Sequence, residues 1–221
     1  MSSIFEDHLN FSENYPLTFL SSDESLFLDK LNLIKNELNF PAIRNDIGAF
    51  FNFLIKSKKL KTIFEFGSGY GHSAFWYFVD SYLPNKVYLT EKRQDLLKYF
   101  EDLPWSEDQK SRIHYYQGDA FERLKDLDQD DVKIDFLLID GQKSSYQEFL
   151  TSSYNLLSKD AIVVIDNAFW KGSVIKDDLV SKTSEISIRL LDKYIKSQEV
   201  ARNFHVQYFP FRDGLIVLSK K

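Results

Sequence analysis

One stretch restricts the fold more than any other: Thr62-Ile63-Phe64-Glu65-Phe66-Gly67-Ser68-Gly69-Tyr70-Gly71-His72-Ser73-Ala74. A run of β-formers carries a carboxylate near its end, glycines then alternate with other residues, and an apolar segment from Ala74 to Val79 follows. That order reads as strand, tight turn and helix, the opening unit of a doubly wound α/β sheet with a cofactor lying over the turn. Glycines so spaced let backbone N–H groups approach a ligand where a Cβ would collide. Two cofactor classes fit. Gly69, Gly71 and Ala74 satisfy the G-x-G-x-x-[GA] pattern of a dinucleotide site. In that frame the first glycine stands two residues beyond the strand end, and the string also reads from Glu65 as E-x-G-x-G-x-G.

The alternation continues downstream. Strands are expected at 62–66, 86–91, 112–117, 133–139, 161–166, 204–209 and 214–219, with helices at about 74–83, 93–103, 120–127, 144–157 and 184–201 between the first six. This is the βαβα pattern of a mostly parallel, seven-stranded doubly wound sheet. Only Pro210-Phe211-Arg212-Asp213-Gly214 separates the last two strands. That is too short for a crossover, so they form an antiparallel hairpin. Ser144-Ser145-Tyr146-Gln147 fits a capping box opening the helix after residue 143, whose apolar face is Tyr146, Phe149, Leu150, Tyr154 and Leu157.

Upstream, residues 1–20 read as irregular, and a helix from Ser22 keeps Phe27, Leu31, Ile34 and Leu38 on one face until Pro41 stops it. A second helix carries Ile47, Phe50, Phe51, Leu54 and Ile55 and ends in the basic cluster Lys56, Lys58, Lys59 and Lys61, read as a complement to a helix C-terminus. The expected division is an N-terminal extension, 1–40, packing over the domain or a partner, and one domain, 41–221.

A formal net charge of −5 argues against a surface built for phosphate backbones. The absence of cysteine removes disulfides, thiolate nucleophiles and Cys-ligated metals, and the four histidines have no metal-ligand spacing. No secretory signal or membrane-crossing run is apparent, so a soluble, cytoplasmic protein is expected.

In such a sheet the ligand crevice lies beyond the carboxyl ends of the strands. The second strand delivers Glu91 about 20 positions after the glycine turn, where a carboxylate accepts from ribose hydroxyls. The third delivers Asp119, which can meet an adenine amino group or cap the next helix, and Ala120, which leaves room for the ring. The fourth ends in Asp140-Gly141-Gln142-Lys143 and the fifth in Asp166-Asn167. If these strands neighbour the first, Asp140, Asp166 and Asn167 form a hard oxygen site for Mg²⁺, with Mn²⁺ or Ca²⁺ also compatible. Lys143, partly desolvated beside a divalent cation, suits a base.

Together these residues resemble the cation-dependent O-methyltransferases, the catechol and caffeoyl-CoA O-methyltransferase group among the S-adenosylmethionine-dependent class I methyltransferases. The likeness rests on Phe64-Glu65-Phe66-Gly67 with Gly71-His72-Ser73-Ala74, on Ile134 to Tyr146, on Asp166-Asn167-Ala168-Phe169-Trp170-Lys171-Gly172, and on Asp213-Gly214-Leu215. It implies a Rossmann-like class I methyltransferase fold, with Ile43, Glu65, Gly67, Ser68, Ser73, Glu91 and Ala120 around S-adenosylmethionine, to which the reading of the glycine turn and strand ends adds Gly69, Gly71, Asp119 and Asp140. It further implies Asp140, Asp166 and Asn167 as metal ligands and Lys143 as catalytic base. The implied reaction is methyl transfer to a hydroxyl of a small catechol-like aromatic flanked by Trp170, Phe211 and Arg212, with Phe169 read as packing, in a homodimer. His72 stands where the family often has Tyr, and Lys159-Asp160 replace the usual glycines. Two alternatives stay open: a tRNA hydroxyuridine acceptor at the same site, and an NAD(P)-dependent dehydrogenase or nucleotide-binding module, which leaves Asp140, Asp166 and Asn167 idle.

Overall fold

The computed structural model describes residues 2–80, 82–170, 172, 174 and 183–221. Helices α1 (Ser2–Asn14), α2 (Ser22–Leu38) and α3 (Asn45–Lys58) precede strand β1 (Thr62–Phe66). Then come α4 (His72–Tyr77), β2 (Lys86–Glu91), α5 (Leu97–Glu101), α6 (Glu107–Arg112), β3 (Ile113–Gln117), α7 (Ala120–Gln129) and β4 (Ile134–Ile139). The chain closes with α8 (Tyr146–Ser153), β5 (Leu157–Asp166), α9 (Thr183–Ile195), α10 (Gln198–Asn203), β6 (Phe204–Phe209) and β7 (Leu215–Lys220). The seven strands form one sheet in the order β3-β2-β1-β4-β5-β7-β6. The first five run parallel, and β7 lies antiparallel between β5 and β6. Strand order therefore reverses between β1 and β4, which puts a crevice at their carboxyl ends.

Period-two alternation divides the core between two faces. Ile63, Phe136, Leu138, Ile162 and Val164 pack with α2, α3 and α4 on one side. Phe64, Leu137, Ile139, Val163 and Ile165 pack with α7, α8 and α9 on the other. Helix α2 is fastened at its start by the reciprocal Ser21–Glu24 box and ends at left-handed Asn39, just before Pro41. Lys56 and Lys58 sit in the last turn of α3, where they complement the helix dipole.

Several local expectations need correction. Residues 2–14, read as irregular, are helical, and polar contacts tie them to the start of α3. Arg44 donates to Leu9 O at 2.9 Å, Ser12 Oγ to Asp46 at 3.0 Å, and Asn45 N to Glu13 Oε1 at 3.1 Å. The helix expected over 74–83 runs only His72–Tyr77, because Asn52 Nδ2 takes the carbonyls of Trp76 and Val79 at 2.9 and 3.0 Å; its Ser81 lies outside the described residues. The expected capping box at Ser144 is absent: the Ser144 hydroxyl accepts from Gln142 Nε2 at 2.8 Å, and α8 starts at Tyr146 without a side-chain cap. The 144–157 helix ends at Ser153, and β5 begins at Leu157 and bulges before Ile162. The 93–103 segment is a short 3-10 turn plus α5, and the 184–201 helix breaks where Ser197 caps α10.

Candidate active site

The carboxyl ends of β1, β2, β3, β4 and β5 open onto a cleft of about 540 Å³. The glycine turn forms its floor. Gly67 N and Ser68 N donate to Thr90 O at 3.1 and 3.0 Å, and Asp140 N donates to Phe66 O at 2.9 Å, so the turn is pinned between β2 and β4. Gly67 has φ +93°, and a Cβ there would lie 2.5 Å from Asp140 O. Only glycine tolerates both conditions.

Glu91 lies on the cleft wall with its carboxylate fixed by two backbone donors, Gly69 N at 3.0 Å and Arg93 N at 2.8 Å. A carboxylate has about four acceptor positions, so free lone pairs still face the cleft. Ile43, Gly67, Ala120 and Asp140 line the same space. Asp119 does not. It caps α7 through Phe121 N at 2.7 Å and pairs with Lys92 at 2.8 Å, so the capping alternative describes its contacts.

Glu65, Ser68, Gly69, Gly71 and Ser73 also stay behind the cleft wall. The buried Glu65 carboxylate accepts from Ser73 Oγ and, at 2.9 Å, from the Tyr77 hydroxyl. Desolvation pushes its pKa up to about 8, against the opposing pull of those hydroxyls. Ser68 Oγ is turned inward to accept from Thr90 N at 3.0 Å. These groups brace the turn that other residues present. His72 is likewise buried, with both ring nitrogens lacking a hydrogen-bond partner, and desolvation lowers its pKa to about 3.

At the other end of the cleft, Lys143 Nζ lies 3.1 Å from Asp140 Oδ1 and 2.5 Å from the Tyr146 hydroxyl. A 3-10 turn at Lys143–Ser145 running into α8 brings this trio together. Tyr146 was read as part of an apolar helix face. Its hydroxyl meets Lys143 as well, a contact that its place on an apolar stripe does not announce. Asp166, 8% exposed, ends β5, and its Oδ1 accepts from Asn167 N at 2.7 Å. Desolvation, reinforced by the nearby Asp140 charge, pushes the Asp166 pKa up to about 7. Asp140 is raised too, by desolvation, against the ammonium of Lys143.

Asp140, Asp166 and Asn167 all line the cleft. Among the described residues no group of three His, Cys, Asp or Glu is gathered for a metal; the set here is two carboxylates and an amide. Two desolvated carboxylates, with the Asp140 charge raising the proton affinity of Asp166, beside an amide oxygen, suit a hard divalent cation. Trp170, with its ring 5.9 Å from Lys143 Nζ, and Arg212 are at the same edge. Phe211 is not among the lining residues and packs on Phe50 and Phe209. Phe169 stacks on Tyr208, in keeping with packing. Phe40, Arg44 and Arg93 complete the wall without a sequence signal of their own.

A family model described as O-methyltransferase matches residues 19–221. The chain is 29% identical over 87 residues to "Probable caffeoyl-CoA O-methyltransferase 2" of Dictyostelium discoideum, a match covering 39% of this chain and 36% of that relative. The chain thus spans only about a third of that curated relative. Two solved structures share the fold. The O-methyltransferase from Bacillus cereus in complex with SAH superposes with a TM-score of 0.77 at 19% identity, over 88% of this chain and 90% of that one. The O-methyltransferase TomG from Streptomyces achromogenes in complex with SAM gives 0.79 at 19% identity, over 94% of each chain.

Proposed function

Because the chain belongs to the O-methyltransferase family, we propose that its cleft carries a methyl group from S-adenosylmethionine to a hydroxyl of a small aromatic acceptor bearing two adjacent oxygens. One observation supports this most. A wall of Gly67, Glu91 and Ala120 and a hard oxygen cluster with a lysine (Asp140, Asp166, Asn167, Lys143) share one cleft.

Glu91, already oriented by two backbone donors, would hold the ribose hydroxyls, and Ala120 would leave space for adenine. Glycine 67 would let the backbone approach the methionine portion, with Ile43 closing over it. Asp140, Asp166 and Asn167 would hold a divalent cation. When bound, the cofactor supplies an electrophilic sulfonium methyl and the cation supplies Lewis acidity toward the acceptor oxygens. As the neutral amine, Lys143 Nζ would receive the acceptor's hydroxyl proton, and Tyr146 and Asp140, already 2.5 and 3.1 Å from Nζ, would hold the ammonium so formed. Trp170 would lie along the acceptor ring. Fixing acceptor oxygen and methyl carbon in line removes much of the entropic part of the barrier.

The reading includes residues 1–40 as an extension over the 41–221 domain, with Phe27 and Leu31 of α2 reaching the core. It also includes a homodimer, for which Leu26, Leu33 and Phe53 offer exposed apolar surface; sedimentation at two concentrations tests this. Among the described residues no helix is long and apolar enough to cross a membrane. The direct test of the cofactor is calorimetry. S-adenosylhomocysteine should bind with micromolar affinity and NAD should give no heat; the reverse result favours the dehydrogenase alternative.

A further inference from the structure

Five cationic side chains reach the cleft wall: Arg44, Lys92, Arg93, Lys143 and Arg212. Four are held by carboxylates: Arg44 by Glu13 and Asp46, Lys92 by Asp119, Arg93 by Asp95, and Lys143 by Asp140. Among the described residues the Arg212 side chain has no ion pair and no hydrogen bond.

Its backbone is unusual as well. Arg212 has φ +47°, a left-handed conformation that glycine adopts without strain and that a residue with a Cβ rarely takes. Asn167 (φ +59°) and Trp170 (φ +39°) share this strain at the same edge of the cleft. Gly214 N donates to Phe211 O at 2.7 Å and closes the turn. Phe169 N donates to Asp213 O at 2.6 Å, and Ala168 N to Gly214 O at 2.9 Å. The Arg212 turn is thereby bolted to the segment that carries Asn167 and Trp170. Arg212 is exposed at the rim of the cleft, and strain of this kind there, on a guanidinium that no carboxylate holds among the described residues, points to a ligand contact.

The surroundings narrow the ligand's charge. Asp140, Asp166 and Asp213 line the same region and would repel an anion, so a negative group is welcome only beside a cation that is not already neutralised. We propose that the acceptor is anionic: a hydroxylated aromatic bearing a carboxylate or phosphate, which Arg212 receives through paired charge-assisted hydrogen bonds while Trp170 lies along the ring. This inference rests on the methyl-transfer reading of the cleft and specifies its substrate.

The test compares catechol, 3,4-dihydroxybenzoate and 3,4-dihydroxybenzyl phosphate at one ionic strength. Each is measured as kcat/KM and, separately, as calorimetric affinity for the protein saturated with S-adenosylhomocysteine. At least one anionic acceptor should be preferred over catechol by about tenfold or more, the scale of a charged hydrogen bond. Whichever anion leads identifies carboxylate or phosphate as the source. In Arg212→Gly, which relieves the backbone, the preference should fall to about one with Tm unchanged or raised; Arg212→Lys should keep part of it. No preference in the wild-type protein, or a preference undiminished in Arg212→Gly, overturns the inference. Active enzyme without preference sinks this inference alone. Preference in binding without turnover of any acceptor keeps the charge recognition and sinks the methyl-transfer reading.

Discussion

Nζ of Lys143 stands 3.1 Å from Asp140 Oδ1 and 2.5 Å from the hydroxyl of Tyr146, buried at the start of α8, which itself lies 3.5 Å from the same Asp140 oxygen. Both partners are acceptors for its protons, so Nζ has a defined position at the cleft before any acceptor arrives. Replacing Lys143 by Met should therefore lower kcat by about 10²–10⁴, the range of a lost general base. Affinity for S-adenosylhomocysteine should change less than threefold. Single-turnover rates and calorimetry on the same preparation check both halves.

Glu65 gives a pH signature in stability. Its pKa rises from the ordinary 4.5 to about 8 in the folded protein, so the folded state holds the proton more tightly than the unfolded chain does. Ionisation then costs stability progressively as pH climbs from about 4.5 towards about 8, and the full cost, on the order of a few kcal/mol, is present above that. Asp166, raised to about 7, adds a slope of the same sign, so the measurement is a difference between two proteins. Glu65→Gln keeps the shape and offers the Ser73 and Tyr77 hydroxyls an amide. Its Tm should fall less than that of wild type between pH 5 and pH 9 (roughly the window of the shift).

At Gly67 the prediction concerns backbone and cofactor together. An alanine there would meet Asp140 O at 2.5 Å and Gly141 Cα at 2.6 Å while held at φ +93°. Gly67→Ala should destabilise the fold by about 1–3 kcal/mol and weaken S-adenosylhomocysteine binding at least tenfold. Chemical denaturation and calorimetry would read the two effects.

Glu91 links the glycine turn to β2 by accepting from Gly69 N and Arg93 N. Glu91→Ala removes that brace and the proposed ribose acceptor at once, and about 1.5–3 kcal/mol of cofactor binding, or more than tenfold in affinity, should go with it. Glu91→Gln should recover part of the loss.

How much of this was legible in the sequence depended on which force positions each element. The strands could be read because β2, β4 and β5 are buried over their central residues and reduce to short apolar runs ending in polar tips. Those tips, Glu91, Asp140 and Asp166-Asn167, then reach one cleft by topology alone. Helix α1 could not be read, since Arg44, Asp46 and Asn45 hold it from far along the chain. Nor could the inward rotation of Glu65 and Ser73. The pattern marks acidic and hydroxyl groups beside a glycine turn but not which way they face, and Tyr77, five residues past the first helical turn's start, decides it. Tyr146 was hidden differently, because an aromatic on an apolar stripe gives no sign that its hydroxyl meets a lysine.

The central claim is that Asp140, Asp166 and Asn167 hold a divalent cation needed for methyl transfer. The most direct measurement is the initial rate of labelled methyl transfer from S-adenosylmethionine to 3,4-dihydroxybenzoate by chelator-treated protein, with and without added Mg²⁺. The account predicts that the rate drops by about 10² or more without the cation, returns with it, and stays low for Asp166→Ala at any Mg²⁺ level. Equal rates with and without chelator, or an Asp166→Ala protein as fast as wild type, would contradict it.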